Sequence, residues 1–239
     1  MYRALLLAFI ATLLAACASA STPAASPPAD FESAAREAAD SALVTLDELP
    51  EFWTEVDAAE AEFDIDLLPE CDVFDSAVAF PDAVATAEGP AYNGPGERLV
   101  TFTTAAFEEE QTAIAAFDGL NEIIARCDAE FLAAIEETAR AEAADRGFEL
   151  GFLSRVNVDF RAHDFIALGD ESLAQRVSVE IRVIGIGTDF TLDVIAVRSG
   201  RMIGIMTYSD FGEIEASEEE EFARQMTNKL TNADSSLPE

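Results

Sequence analysis

Phe148-Glu149-Leu150-Gly151-Phe152-Leu153-Ser154-Arg155-Val156-Asn157-Val158-Asp159-Phe160 alternates between apolar and polar residues over most of its length. Phe148, Leu150, Phe152, Val156, Val158 and Phe160 share one parity, while Glu149, Arg155, Asn157 and Asp159 take the other. Successive side chains of a strand point to opposite faces, so this pattern predicts a strand with one buried and one wetter face. Downstream, the turn residues Gly169-Asp170-Glu171-Ser172 lead into three more strands, at about 174–186, 189–198 and 201–209. Gly187-Thr188 and Ser199-Gly200 are the expected tight turns between them. Strands joined by tight turns pair antiparallel. Ser217 with Glu220 reads as a capping box opening a last helix that runs through about Leu230. The run Glu218 to Glu221 then sits at the positive end of the helix dipole. The polar residues 233–239 are expected to fray as a disordered tail.

Upstream of the alternating stretch, Phe107, Ile114, Phe117, Leu120, Ile124, Cys127, Phe131 and Ile135 recur at helical spacing. Arg146-Gly147 is the expected end of that long helix, with a break expected near Cys127. Before it, strands at 84–92 and 97–103 flank Asn93-Gly94-Pro95-Gly96, a hairpin signal. Phe31 to Leu46 reads as a helix with a thin alanine stripe, and Pro50 ends it. The order is helix, hairpin, long helix, strand, meander, helix. It predicts an α+β fold, a twisted antiparallel sheet with helices packed on one face.

The N-terminus addresses location. Arg3 precedes an almost wholly apolar run from Ala4 to Leu14, too short for a membrane-spanning helix. Leu14-Ala15-Ala16-Cys17 resembles the lipobox of bacterial lipoproteins. The resemblance implies a signal peptide at 1–16, cleavage before Cys17, and a diacylglyceryl anchor on its sulfur; the alternative is a plain secretory signal. The Ala-, Ser-, Thr- and Pro-rich stretch that follows lacks the residues for a core and reads as a tether, 17–35 with the anchor. Cys71 and Cys127 remain as a pair in an oxidising compartment and read as a disulfide. A zinc site is the rival, but two lone cysteines without a nearby histidine are too few.

Composition excludes some partners. The chain carries 47 acidic against 14 basic residues, a net charge of −33, and its only lysine is Lys229. Nucleic-acid affinity depends on Lys and Arg displacing counterions, so none is expected. Nor is there a polybasic segment to hold anionic lipid. Such acidity suits a salty habitat, where counterions screen self-repulsion; a codon bias toward Arg and Ala gives the same composition.

Catalytic signals are sparse. His163 is the single histidine, and neither a Gly-x-Ser-x-Gly elbow nor a His-Glu-x-x-His pair accompanies it. It reads as a loop or strand-end residue whose pKa Asp164 raises. Ser172 reads as a strand start. Asp64-Ile65-Asp66 lacks the glycine and glutamate of a calcium loop, so no metal and no cofactor are expected. Arginine is less evenly spread, with Arg155, Arg161, Arg176, Arg182, Arg198 and Arg201 lying close together in sequence. Arg155, Arg176 and Arg182 take the polar parity of their strands and would share the face opposite the helices. One reading is an anion-recognising patch, since guanidinium forks grip carboxylate and phosphate. The other is cross-strand pairing with Asp159, Glu180 and Asp193. Trp53 reads mainly as packing and secondarily as an aromatic platform for a ligand.

Several features occur in a familiar order: Leu46-Asp47-Glu48-Leu49-Pro50 with Trp53, Cys71, a hairpin, a helix bearing Cys127, and Leu168-Gly169-Asp170-Glu171-Ser172 before the meander. Over 36–232 this order resembles the extracellular sensor domain of mycobacterial PknH-type receptor kinases and actinobacterial lipoproteins built on it. The resemblance implies a single domain with an antiparallel sheet flanked by helices and a cleft for a ligand. It also implies a second disulfide, for which this chain has no cysteines. The function expected is a monomeric, non-enzymatic, lipid-anchored sensor-like module on the outer face of a cell membrane, binding a small-molecule or envelope ligand. The alternative is an envelope carrier of an apolar molecule in a cavity between sheet and helices.

Overall fold

The computed structural model describes residues 29–56, 71, 75–96, 98–145, 154–183, 186–212 and 214–239. The signal, Cys17, the tether up to residue 28, the acidic stretch 57–70 and the first half of the alternating stretch lie outside them. The expected helix end at Arg146-Gly147 does too.

The described strands form one antiparallel sheet. β1 is Thr54–Val56, β2 Ala85–Glu88, β3 Ala91–Gly94, β4 Arg98–Ala106, β5 Ser154–Ala162, β6 Glu171–Val183, β7 Ile186–Ser199 and β8 Met202–Asp210. Their order across the sheet is β1-β3-β4-β8-β7-β6-β5, with β2 also paired to β4. The helices are α1 Ala29–Ala42, a short α2 Ser76–Ala79, α3 Glu110–Asp145 and α4 Ala216–Ser236. The expected α+β antiparallel sheet is therefore what forms.

The helices divide between both faces instead of sharing one. Met202, Met206 and Tyr208 of β8 point into a core with α1 and α4, whereas Ile203 and Ile205 point into a second core with α3. β7 does the same, sending Ile195 and Val197 one way and Leu192, Val194 and Ala196 the other. A central strand with two apolar faces needs a cover on each. α4 lies so close to β8 that a Cβ on Gly204 would stand 2.9 Å from Met226 Sδ and 3.0 Å from Leu230 Cδ1.

Other boundaries move for physical reasons. The hairpin strand is interrupted at Gly89-Pro90, where the pairing with β4 slips by one residue between β2 and β3. α1 stops at Ala42, and Leu46–Glu48 forms a separate 3-10 turn whose preceding Thr45 N–H donates to Glu48. α3 passes through Cys127 without a break. Gly187 and Thr188 are strand residues facing Arg182 and Ile181, and the reversal falls between Val183 and Ile186. Residue parity is the same in both registers, but the observed one sets Arg176 opposite Asp193 and Glu171 opposite Arg198. Those two facing pairs of opposite charge are favourable, while Glu180 opposite Asp189 is a like-charge pair that Arg182 bridges.

α4 begins at Ala216 after Glu215, so Ser217 does not cap it; its Oγ bonds Glu215 Oε1 at 3.3 Å. This start gathers Phe222, Ala223, Met226, Leu230 and Ala233 on one buried stripe together with Glu219. Nor does the helix fray after Leu230. It continues to Ser236, where Arg201 donates to the carbonyls of Asp234, Leu237 and Pro238 and satisfies helix-end acceptors. Leu237 is buried.

Cys71 and Cys127 form the expected disulfide. It fastens the segment before α2 to the buried stripe of α3, beside Phe117, Leu120 and Ile124. Phe80 follows and meets Phe107 edge-on at 6.3 Å.

Candidate functional site

The arginine face separates into distinct environments. Arg155 and Arg182 are register partners, as are Arg161 and Arg176. Arg176 and Arg182 stand about 20 Å apart along β6, at roughly 3.3 Å per residue, too far for one small anion. Arg182 is exposed and pairs with Glu180 and Asp189, while Arg161 pairs with Asp159. Arg198, almost fully buried, meets Glu110, Asp170 and Glu171. Cross-strand and local pairing thus accounts for the described guanidinium groups on this part of the sheet; the side chain of Arg155 is not among those described. Arg161, Arg176 and Arg182 take the α4 side of the sheet and not a side free of helices, whereas Arg198 has the opposite parity and lies on the α3 side.

Trp53 lies in the core at 5 % exposure. It packs edge-on against Phe222 at 5.2 Å and near Tyr208 at 6.4 Å, with the Arg98 guanidinium 5.9 Å from its ring centre. No ring face remains for a ligand platform.

The most unusual chemistry lies where α4 meets β6 and β7. Asp193 projects from β7 and is fully buried. Arg176, opposite it on β6, donates Nε to Asp193 Oδ1 at 2.7 Å and Nη2 to Oδ2. The same Nη2 lies 3.2 Å from His163 Nε2 and 3.9 Å from Glu219 Oε2. His163 follows β5, its backbone N–H bonded to Ala174 O, so it is a strand-end residue as expected. Glu219 enters from the first turn of α4 and is also fully buried.

Two of the four consecutive glutamates thus turn inward. Glu218 accepts from Arg98 Nη1 at 2.5 Å and from Tyr208 Oη at 2.6 Å, fully spending its charge on partners. Burial and the adjacent Glu218 carboxylate push the Tyr208 hydroxyl well above its ordinary pKa. Glu219 is different, because among the described residues neither of its carboxylate oxygens meets a hydrogen-bond donor. Burial, then Asp193, raises its pKa well above the carboxylate range, against the opposing pull of Arg176. Asp193 becomes a hydrogen-bond partner only if Glu219 carries a proton to donate.

One guanidinium cannot neutralise two buried carboxylates. The excess negative charge in low dielectric must be met by a proton or by a second cation. His163 completes the cluster. Its pKa is lowered, first by burial and then by Arg176, so the expected upward shift from Asp164 is overruled.

Sequence reading named Arg176 among the candidate arginines and Asp193 among their candidate partners, without joining the two, and missed the cluster. Its signal was the spacing of Glu219 with Phe222, Ala223, Met226 and Leu230, which places that glutamate on the apolar stripe.

No protein-family model matches the chain, and no curated protein matches its sequence. Among solved structures, the chain is similar to the extracellular domain of PknH from Mycobacterium tuberculosis. Identity is 11%, the match covers 83% of this chain and 97% of that one, and the TM-score is 0.50. The two share a fold. A putative regulator of unknown function from Pseudomonas aeruginosa, PA94, matches at 14% identity over 60% of this chain and 78% of its own, with a TM-score of 0.24, too distant to inform the fold. Among the described residues no helix is long and apolar enough to cross a membrane.

Proposed function

We propose that this protein is a lipid-anchored, extracytoplasmic binding or sensor-like module that acts without catalysis. The carrying observation is the Cys71–Cys127 disulfide, a bond of oxidising compartments, in a chain whose start reads as a lipoprotein signal ending at Cys17. The fold shared with an extracellular domain of a receptor kinase supports the sensor-like part.

Cell fractionation of wild type and Cys17→Ser tests the anchor. The wild type sediments with membranes and leaves them only in detergent, and the variant appears in the soluble fraction. A wild type that is already soluble contradicts the reading. Thermal-shift screening against envelope metabolites in high salt addresses the ligand, since a molecule that binds only the native state raises the melting point. In native mass spectrometry, one co-purified lipid per chain beyond the anchor would replace this reading with the carrier alternative.

A further inference from the structure

We propose that His163, Asp193 and Glu219 form a binding site for one divalent transition-metal ion of the zinc class. The ligands come from three separate elements, and one ligand atom from each lies within 4.8 Å of the others. Zinc draws imidazole nitrogen and carboxylate oxygen to about 2.0–2.2 Å, a contraction within reach of side-chain rotation. Glu219 is the independent pointer. It is fully buried, on the apolar stripe of α4, and among the described residues neither carboxylate oxygen has a donor. A buried carboxylate in that condition calls for a cation or an unseen partner.

A cationic nitrogen already stands at the focus. Arg176 Nη2 contacts Asp193, His163 and Glu219 together. It offsets one carboxylate and leaves the other. The Arg176 side chain is 21% exposed, so its guanidinium can swing toward solvent and yield its place to a metal ion. Arg176 has only hydrogens to offer, so His163 Nε2 accepts from it and aims its lone pair into the cluster. That is the form of imidazole a metal binds. One nitrogen and two carboxylates favour zinc, manganese or iron over calcium and magnesium, which take oxygen ligands. The site is independent of the anchor and of the sensor reading.

The mature chain, held in detergent and stripped with a chelator, is titrated with zinc chloride against a chromophoric competitor, with excess calcium occupying surface carboxylates. One zinc per chain is expected. His163→Ala and Glu219→Gln each weaken it by about tenfold or more, whereas Glu220→Gln, which alters a carboxylate paired with Arg224, leaves it unchanged. X-ray absorption of the loaded wild type then reports an imidazole nitrogen among oxygen ligands. Glutamine keeps the shape of the carboxyl and His163 is half-buried at a strand end, so both variants retain the fold. Absence of a one-to-one site overturns the proposal, as does zinc bound equally by the wild type and all three variants.

Discussion

Removing the Cys71–Cys127 bridge is the perturbation whose magnitude follows most directly from the structure. The bridge spans a sequence separation of 56. Restoring the freedom of a loop that size in the unfolded chain costs about 4 kcal/mol on the chain-entropy model. For a domain of this length, each kcal/mol moves the melting temperature by about 2–4 °C, giving a fall of about 8–16 °C. The assay is calorimetry on three samples: oxidised wild type, wild type reduced by a phosphine, and Cys71→Ala/Cys127→Ala. Reduced wild type keeps both sulfur atoms and isolates the chain term. The double variant melts slightly lower still, because both positions are buried beside Phe117, Leu120 and Ile124 and lose contacts as well. Reduced wild type melting within about 2 °C of the oxidised protein, with the two thiols shown to be free, refutes the reasoning.

Arg176→Ala strands the fully buried Asp193 and costs about 3 kcal/mol or more, whereas Arg182→Ala removes only exposed pairs and shifts stability by less than about 0.5 kcal/mol; urea unfolding of each distinguishes them. Glu219 has a folded pKa raised above its ordinary 4.5, so its contribution to stability is full below that value and is lost as pH rises toward the raised one. The stability of Glu219→Gln relative to metal-free wild type therefore grows from pH 5 to pH 8, and a gap independent of pH contradicts the burial argument. Both proteins are compared in a His163→Ala background, because His163 shares the cluster and its titration is coupled to Glu219. Gly94→Val forces a Cβ to 2.6 Å from the buried Trp53 ring, an overpacking cost of about 1–3 kcal/mol that thermal melting and tryptophan fluorescence both register.

The meander was legible because Arg155, Asn157 and Asp159 alternate with Val156, Val158 and Phe160, and because Ser199-Gly200 sits where β7 meets β8. The two-faced packing left a signal that alternation obscures. Val194-Ile195-Ala196-Val197 is apolar on both parities, the mark of a strand covered on each side, and the structure buries all four. Glycine misled at Gly187, since a glycine inside a strand imitates a turn; the expected turn would set Arg182 opposite Asp193, where the structure sets Arg176. The candidate site was harder to see because its members belong to a strand end, two strand interiors and a helix start. Register brings Arg176 and Asp193 together, but only tertiary packing adds Glu219. Its place among four glutamates made it look like one more charge at a helix N-terminus.

Intact-mass analysis of the native chain extracted from membranes tests the central claim, an exported, anchored and disulfide-fastened domain. The account predicts a chain that starts at Cys17 with diacylglyceryl on its sulfur, and in which Cys71 and Cys127 resist alkylation until a reductant is added. A chain that keeps Met1 and takes up alkylating reagent at Cys71 and Cys127 without reduction contradicts it.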